Sequence, residues 1–278
     1  DSIPQYKLES AIEYPFYIIL GILTGFTASI FIKSLNFVEI EFEKLKAIPV
    51  PLKTCFGGLF VGLIALTFPQ ILGNGFDVTS DLISLDSDEN GNISVGENLT
   101  SDNNTNSIID DLFIFIFSIM ALKIIATSVS IGSGGSGGIF TPSLFIGAAI
   151  GAGMGLFMSD LGIITHPGAF ALVGMAAFVA STTRATLTAI VLLFEMTATY
   201  EIILPLMLSC VVADATCYVI SKESAYTSKL ARMGINIDLG AEQDIMRMIT
   251  VEEAMSNEVM TITPEKPLEL ALQIIDEH

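Results

Sequence analysis

Residues 132–142 read Gly132-Ser133-Gly134-Gly135-Ser136-Gly137-Gly138-Ile139-Phe140-Thr141-Pro142 and lie between two apolar runs, each suited to a membrane. No other feature restricts the fold so strongly. In hydrocarbon every unpaired backbone N–H or C=O is costly, so irregular chain at that depth survives only where it lines a cavity or is enclosed by protein. The tract is therefore a candidate binding site. A phosphate loop is the nearest soluble analogue, but no lysine follows the glycines as that chemistry requires. A flexible linker is disfavoured by the apolar flanks.

Composition supports a membrane setting. Apolar residues make up 51% of the 278 and charged residues 15%, with a mean hydropathy of +0.67, too apolar for an ordinary soluble domain. Residues 14–32, 54–76, 124–159 and 161–183 are uncharged and approach or exceed the length needed to cross about 30 Å of hydrocarbon. The net charge of −18 does not contradict this, because Asp and Glu concentrate in residues 77–111 and 238–277. Lys44, Lys46 and Lys53 cluster near one turn, and Lys222, Lys229, Arg232 and Arg247 follow the last apolar run. The positive-inside tendency puts both groups in the cytoplasm. The acidic insertion at 86–107, without Lys or Arg, falls outside, and 222–278 is cytoplasmic. Cys55, Cys210 and Cys217 form no ligand or redox spacing. Membrane lipid is the expected surrounding; neither an enzyme nor a nucleic-acid partner is expected.

The apolar pattern predicts helices over residues 14–46, 52–68, 108–130, 139–158, 167–180, 185–197 and 202–220, with a short apolar piece at 78–85. Several are too short for a full crossing. Gly57, Gly58 and Gly62 on the second helix, and Gly147, Gly151, Gly153 and Gly155 on the helix after the tract, offer small faces for close packing in lipid. Pro142 falls in a first helical turn, where its missing N–H has no consequence. From about residue 249 the pattern changes to a soluble α/β one, with a strand at 259–262 and an amphipathic helix at 267–277.

Gly137-Gly138-Ile139-Phe140-Thr141-Pro142 is similar to the GxFxP signature of the CLC family of chloride channels and proton-coupled chloride transporters. Segments 181–188, 193–197 and 200–205 resemble that family's late helices, and 222–230 resembles its final membrane helix, which carries a pore tyrosine. The resemblance covers about residues 14–235 and corresponds to the second of two inverted repeats. The first repeat's signatures, a GSGIP-like segment and a G(K/R)EGP-like segment with its gating glutamate, are not in this sequence. What it implies is an all-α membrane protein, a CLC-type inverted-repeat bundle with partial and re-entrant helices over residues 1–235, followed by the beginning of an α/β CBS module at 249–278. It further implies anion transport as a voltage-gated channel or an H+/Cl− antiporter, a homodimer with one pore per subunit, and an upstream half of the same polypeptide. Another anion, such as fluoride or nitrate, and a membrane sensor working through the acidic insertion and the CBS unit are the alternatives.

Residue by residue, the resemblance makes Ile139 and Phe140 amide donors to chloride beside Gly138, and Tyr226 a phenolic donor from the cytoplasmic side. Gly134, Gly135, Gly137 and Pro142 support the loop. The chemistry is coherent: a helix N-terminus leaves N–H groups unpaired and carries about half a positive charge, which holds an anion without a full cation. Such a site binds well enough to admit an ion and weakly enough to release it. Glu195, Asp214 and Lys123 are ionisable groups in or beside apolar runs and are expected at helix ends or in inter-helix pairs. His166 is expected at the surface.

A second candidate lies in the insertion. Residues 86–97 fit the EF-hand loop, with Asp86, Asp88, Asn90 and Ser94 at side-chain ligand positions, Asn92 offering its carbonyl, Gly91 at the sharp turn and Glu97 closing it. Calcium is the ligand such a loop would take. The competing reading is a solvated polar insertion, since no clear helix follows Glu97. Asn92, Asn98 and Asn103 also begin glycosylation sequons.

Overall fold

A computed structural model describes residues 13–45, 48–87, 93–94, 108–162, 166–197, 200–232 and 250. The chain divides into two compact units, Asp1–Leu230 and Ala231–His278. Within the first, the helices are α1 (Tyr14–Lys44), α2 (Val50–Thr67), α3 (Phe76–Ile83), α4 (Ile108–Gly132), α5 (Phe140–Asp160), α6 (Pro167–Thr183), α7 (Thr186–Thr197) and α8 (Ile203–Ile220); α9 (Ser228–Arg232) follows. Single 3-10 turns lie at Pro69–Ile71 and Tyr200–Ile202. The segments expected at 249–278 lie outside the described residues, apart from Thr250.

Among the described residues, five helical stretches are long and apolar enough to cross a membrane: Tyr14–Lys44, Val50–Thr67, Leu112–Gly132, Phe140–Asp160 and Tyr200–Ile220. The protein is a multi-pass, mainly helical membrane protein. At 1.5 Å per residue, the 17 residues of α6 and the 12 of α7 extend only about 25 and 18 Å, so both are shorter than the hydrocarbon core. The expectation of an all-α membrane protein holds; two-residue strands β1 (Asp86–Ser87) and β2 (Ile93–Ser94) pair antiparallel within the polar insertion.

The core is built on backbone contact. Lipid tails are as apolar as leucine, so helices associate there through close packing and hydrogen bonds. α5 and α6 show why the glycines are needed: a Cβ on Gly151 would lie 2.0 Å from the Phe170 carbonyl oxygen, and one on Gly174 2.4 Å from that of Gly147. Almost every residue of α6 is buried. α1 meets α8 the same way, with a Cβ on Gly25 placed 2.4 Å from the Ala213 carbonyl oxygen. Ser209 Oγ donates to the Tyr17 carbonyl at 2.8 Å across that contact. Tyr17 in turn stacks on Phe170 with centroids 4.3 Å apart, joining α1 to α6.

The glycines of α2 divide differently from the sequence expectation. Gly57 faces Ser133, whose Oγ would be 2.4 Å from an added Cβ, but Gly58 and Gly62 have nothing within 4 Å. α2 touches the rest of the described chain along one narrow edge, and only 11% of its apolar window is buried. Beyond it, Gly73 (φ +64°) and Gly75 (φ +75°) turn the chain into α3.

Candidate functional site

α4 enters the glycine tract with a closed C-terminus. Gly135 N–H donates to the Ser130 carbonyl and Gly134 N–H to that of Ile131, each at 3.0 Å, which is the bond pair of a Schellman cap. Gly134 adopts φ +91°, the left-handed geometry the cap needs, and a Cβ on Gly135 would lie 2.6 Å from the Ser130 carbonyl oxygen. Thr54 Oγ1 donates to the Ser133 carbonyl at 3.1 Å and ties the loop to α2. Gly137 and Gly138 do something else. A Cβ on Gly138 would meet nothing within 4 Å, and one on Gly137 only the Ile131 side chain at 3.6 Å, so the space ahead of the next helix stays open.

That helix, α5, begins uncapped. Its N-cap is Ile139, with no side chain accepting from the first turn. The first bond of its ladder runs from Ser143 N–H to the Ile139 carbonyl at 3.0 Å, and Ser143 Oγ donates to the same carbonyl at 2.8 Å. Pro142 has no N–H, so the amides of Ile139, Phe140 and Thr141 stand ahead of the ladder. Ile139 and Phe140 are half-buried and pack against the core, which fixes the direction of those donors.

Tyr226 sits on a turn that caps itself. Ser224 N–H donates to Thr227 Oγ1 at 2.9 Å, while Thr227 N–H donates to Ser224 Oγ at 3.1 Å and Tyr226 N–H to the same oxygen at 3.3 Å. Ala225 N–H donates to the Thr182 carbonyl of α6 at 3.0 Å. Thr182 Oγ1 lies 3.5 Å from Ser143 Oγ in the first turn of α5. Each of these two hydroxyls also has an own-helix carbonyl at 2.8 Å, so their mutual contact is a weak polar one. The C-terminal end of α6 thus touches both the Ile139–Ser143 turn and the Tyr226 turn. Tyr226 is 51% exposed.

The ionisable groups fall into two kinds. Lys123 is buried, with Nζ donating to the carbonyls of Ile71 and Gly73 at 2.8 and 3.0 Å and lying over the Phe145 ring. Asp214 accepts from Arg184 Nη1 on Oδ1 and from Thr186 Oγ1 on Oδ2, both at 2.8 Å. Glu195, by contrast, is exposed near the end of α7. His166 is the half-buried N-cap residue of α6. In the insertion, Asp88, Asn90, Asn92 and Glu97 lie outside the described residues. The β1–β2 ladder sets the backbone of Asp86 opposite that of Ser94.

Sequence reasoning passed over Arg184. It is the single Lys or Arg between Lys123 and Lys222, a signal that an intramembrane charge deserves by itself. Glu39 and Lys229 also pair, at 2.7 Å, joining α1 to α9.

These features define a multi-pass helical membrane protein in which a short buried helix, α6, packs beside an uncapped helix terminus preceded by exposed glycines. Residues 2–218 match the family described as voltage gated chloride channel, and the chain belongs to that family. It is 31% identical over 233 residues to a ClcB-like chloride channel protein of Ralstonia nicotianae, covering 83% of this chain and 48% of that one. Over 217 residues it is 34% identical to chloride channel protein CLC-f of Arabidopsis thaliana, covering 74% and 25%. The crystal structure of a slow cyanobacterial Cl−/H+ antiporter superposes with a TM-score of 0.60 at 29% identity, covering 85% of this chain and 51% of that one. The chain spans about half the length of the Ralstonia relative and a quarter of the Arabidopsis one.

Proposed function

We propose that this chain forms one half of a transmembrane chloride pathway, working as a CLC-type channel or H+/Cl− antiporter. The observation that supports it best is the α5 terminus: the amides of Ile139 and Phe140 precede the helical ladder, no side chain caps them, and Gly138 leaves their approach open. An anion is the natural occupant of such a terminus. Tyr226 would donate its phenolic proton to the same ion, a role favoured by the docking of its turn on α6, whose end also reaches α5.

In this reading Gly134 and Gly135 act by ending α4, Gly137 and Gly138 by clearance, and Pro142 by removing a donor from the first turn. The rest of the pathway comes from an upstream half of the polypeptide, the assembly is a homodimer, and the chain continues into a CBS module. Residues 86–107 lie outside the cell and 222–278 in the cytoplasm.

The test is chloride efflux from liposomes carrying the full-length protein, read with a chloride electrode, with proton movement followed alongside. Tyr226→Ala and substitutions at Phe140 are expected to lower the flux or change its anion preference. Absence of anion flux from well-folded full-length protein refutes the proposal, and stoichiometric proton counterflow assigns the antiporter.

A further inference from the structure

We propose that Arg184 is the positioning residue of the Tyr226 turn: its guanidinium ties the end of α6 to α8 and to the connector that carries the tyrosine. This rests on the chloride reading of Tyr226 given above. Arg184 ends α6 with φ +62°, the one non-glycine residue with positive φ among those described. Glycine is the usual residue at a left-handed helix end. An arginine there asks for a reason, and its side chain supplies one.

Nη1 donates to both the carbonyl and Oδ1 of Asp214, each at 2.8 Å. Nη2 donates to the carbonyl of Ser221, the residue that ends α8, and the guanidinium lies over the Tyr218 ring at 5.3 Å. Asp214 is held in turn by Thr186 at the start of α7. One side chain therefore gathers the end of α6, the start of α7 and the end of α8. Five residues after Ser221 comes Tyr226, and between them Ala225 N–H bonds the Thr182 carbonyl. Two anchors of the connector thus come from Thr182 of α6 and its cap Arg184, and α6 itself cannot slide on α5 because their backbones touch at Gly151 and Gly174. The planar fork is what makes the arrangement work. Lysine carries the charge on a single nitrogen and cannot reach Asp214 and Ser221 in one plane.

The experiment uses full-length protein in liposomes and compares chloride with nitrate flux for the wild type, Arg184→Lys, Arg184→Gln, Tyr226→Phe and each double variant. Arg184→Gln is expected to change the chloride-to-nitrate ratio by about two- to tenfold, the lower part of the coupling range of contacting groups. Arg184→Lys falls between that and the wild type. In the Tyr226→Phe background the Arg184 changes are expected to have almost no further effect on the ratio. Fluorotyrosine at Tyr226 gives an independent reading, since its 19F line should shift or broaden in both Arg184 variants. Where Tyr226→Phe itself alters transport, equal effects of Arg184→Lys in both tyrosine backgrounds overturn the proposal, and an unmoved 19F line overturns it in any case. A moved line together with wild-type transport by Tyr226→Phe upholds the positioning and refutes only the role of the phenol. If Arg184→Gln fails to fold, Arg184→Lys carries the comparison.

Discussion

Replacing Gly151 by alanine tests whether the α5–α6 contact holds the molecule together. The added Cβ would lie 2.0 Å from the Phe170 carbonyl oxygen, 2.6 Å from its carbonyl carbon and 2.8 Å from the Ala171 Cα. All three are backbone atoms, so no rotamer change relieves the clash, and the helices must part by roughly 1 Å or more to restore ordinary contact. Overpacking of this kind costs about 3 kcal/mol, offset by about 0.8 kcal/mol from the better helix propensity of alanine. The net is about 2 kcal/mol, which lowers the melting temperature of the full-length protein by roughly 2–4 °C. Gly153 on the same helix is the control: its added Cβ would sit 3.5 Å from Phe117 Cε2, ordinary contact. Gly153→Ala is therefore expected to melt at or slightly above the wild-type temperature. The assay is thermal unfolding of purified full-length protein in detergent, followed by the loss of the monodisperse chromatographic peak. Equal melting temperatures for the two variants refute the reasoning.

Gly134→Ala is expected to destabilise by about 1–2 kcal/mol, since alanine pays for the left-handed φ of +91°; the same melting assay shows it, and an unchanged value removes the Schellman cap from the account. Lys123→Met leaves the carbonyls of Ile71 and Gly73 without their buried donor, costing about 2–4 kcal/mol. Measured expression and melting should both fall, and a stable methionine variant contradicts the clamp. The loop at 86–97 predicts millimolar-class calcium binding: calorimetric titration of the full-length protein should give heat that is lost in the Asp86→Asn, Glu97→Gln double variant, and identical isotherms for the two proteins exclude the site.

The membrane spans were legible because hydropathy is a sum over many residues. The start of α5 was legible too, from Pro142 and the glycines before it, and the observed helix begins at Phe140 against an expected 139. What a single glycine does was not. Gly134, Gly135, Gly137 and Gly138 look alike in sequence, yet two close α4 through bonds to Ser130 and Ile131 and two leave space. That division depends on where the ladder of α4 stops. Gly57, Gly58 and Gly62 differ for a tertiary reason, namely which edge of α2 meets Ser133. The partners of Arg184 were illegible for the same cause, since its acceptors Asp214 and Ser221 lie 30 and 37 residues away and no local pattern announces them, although its lone charge was visible.

These observations bear on how the two halves of the candidate site keep their spacing. Ile139 and Phe140 stand at the start of α5, and Tyr226 on a connector that is remote in sequence. Neither turn is given a direct bond to the other by the hydrogen bonds described here. Each is referred instead to α6, through Ser143 beside Thr182 on one side and Thr182 and Arg184 to the connector on the other. A short, wholly buried helix with glycine contacts along its length suits that task, because packed interiors resist small displacements. The outward-facing side chains of α7 and α2 have no part in that spacing, whereas a shift of α6 would change it at once. Substitutions along the α5–α6 contact should therefore alter anion preference as well as stability, and those on the outer faces of α2 and α7 should alter neither.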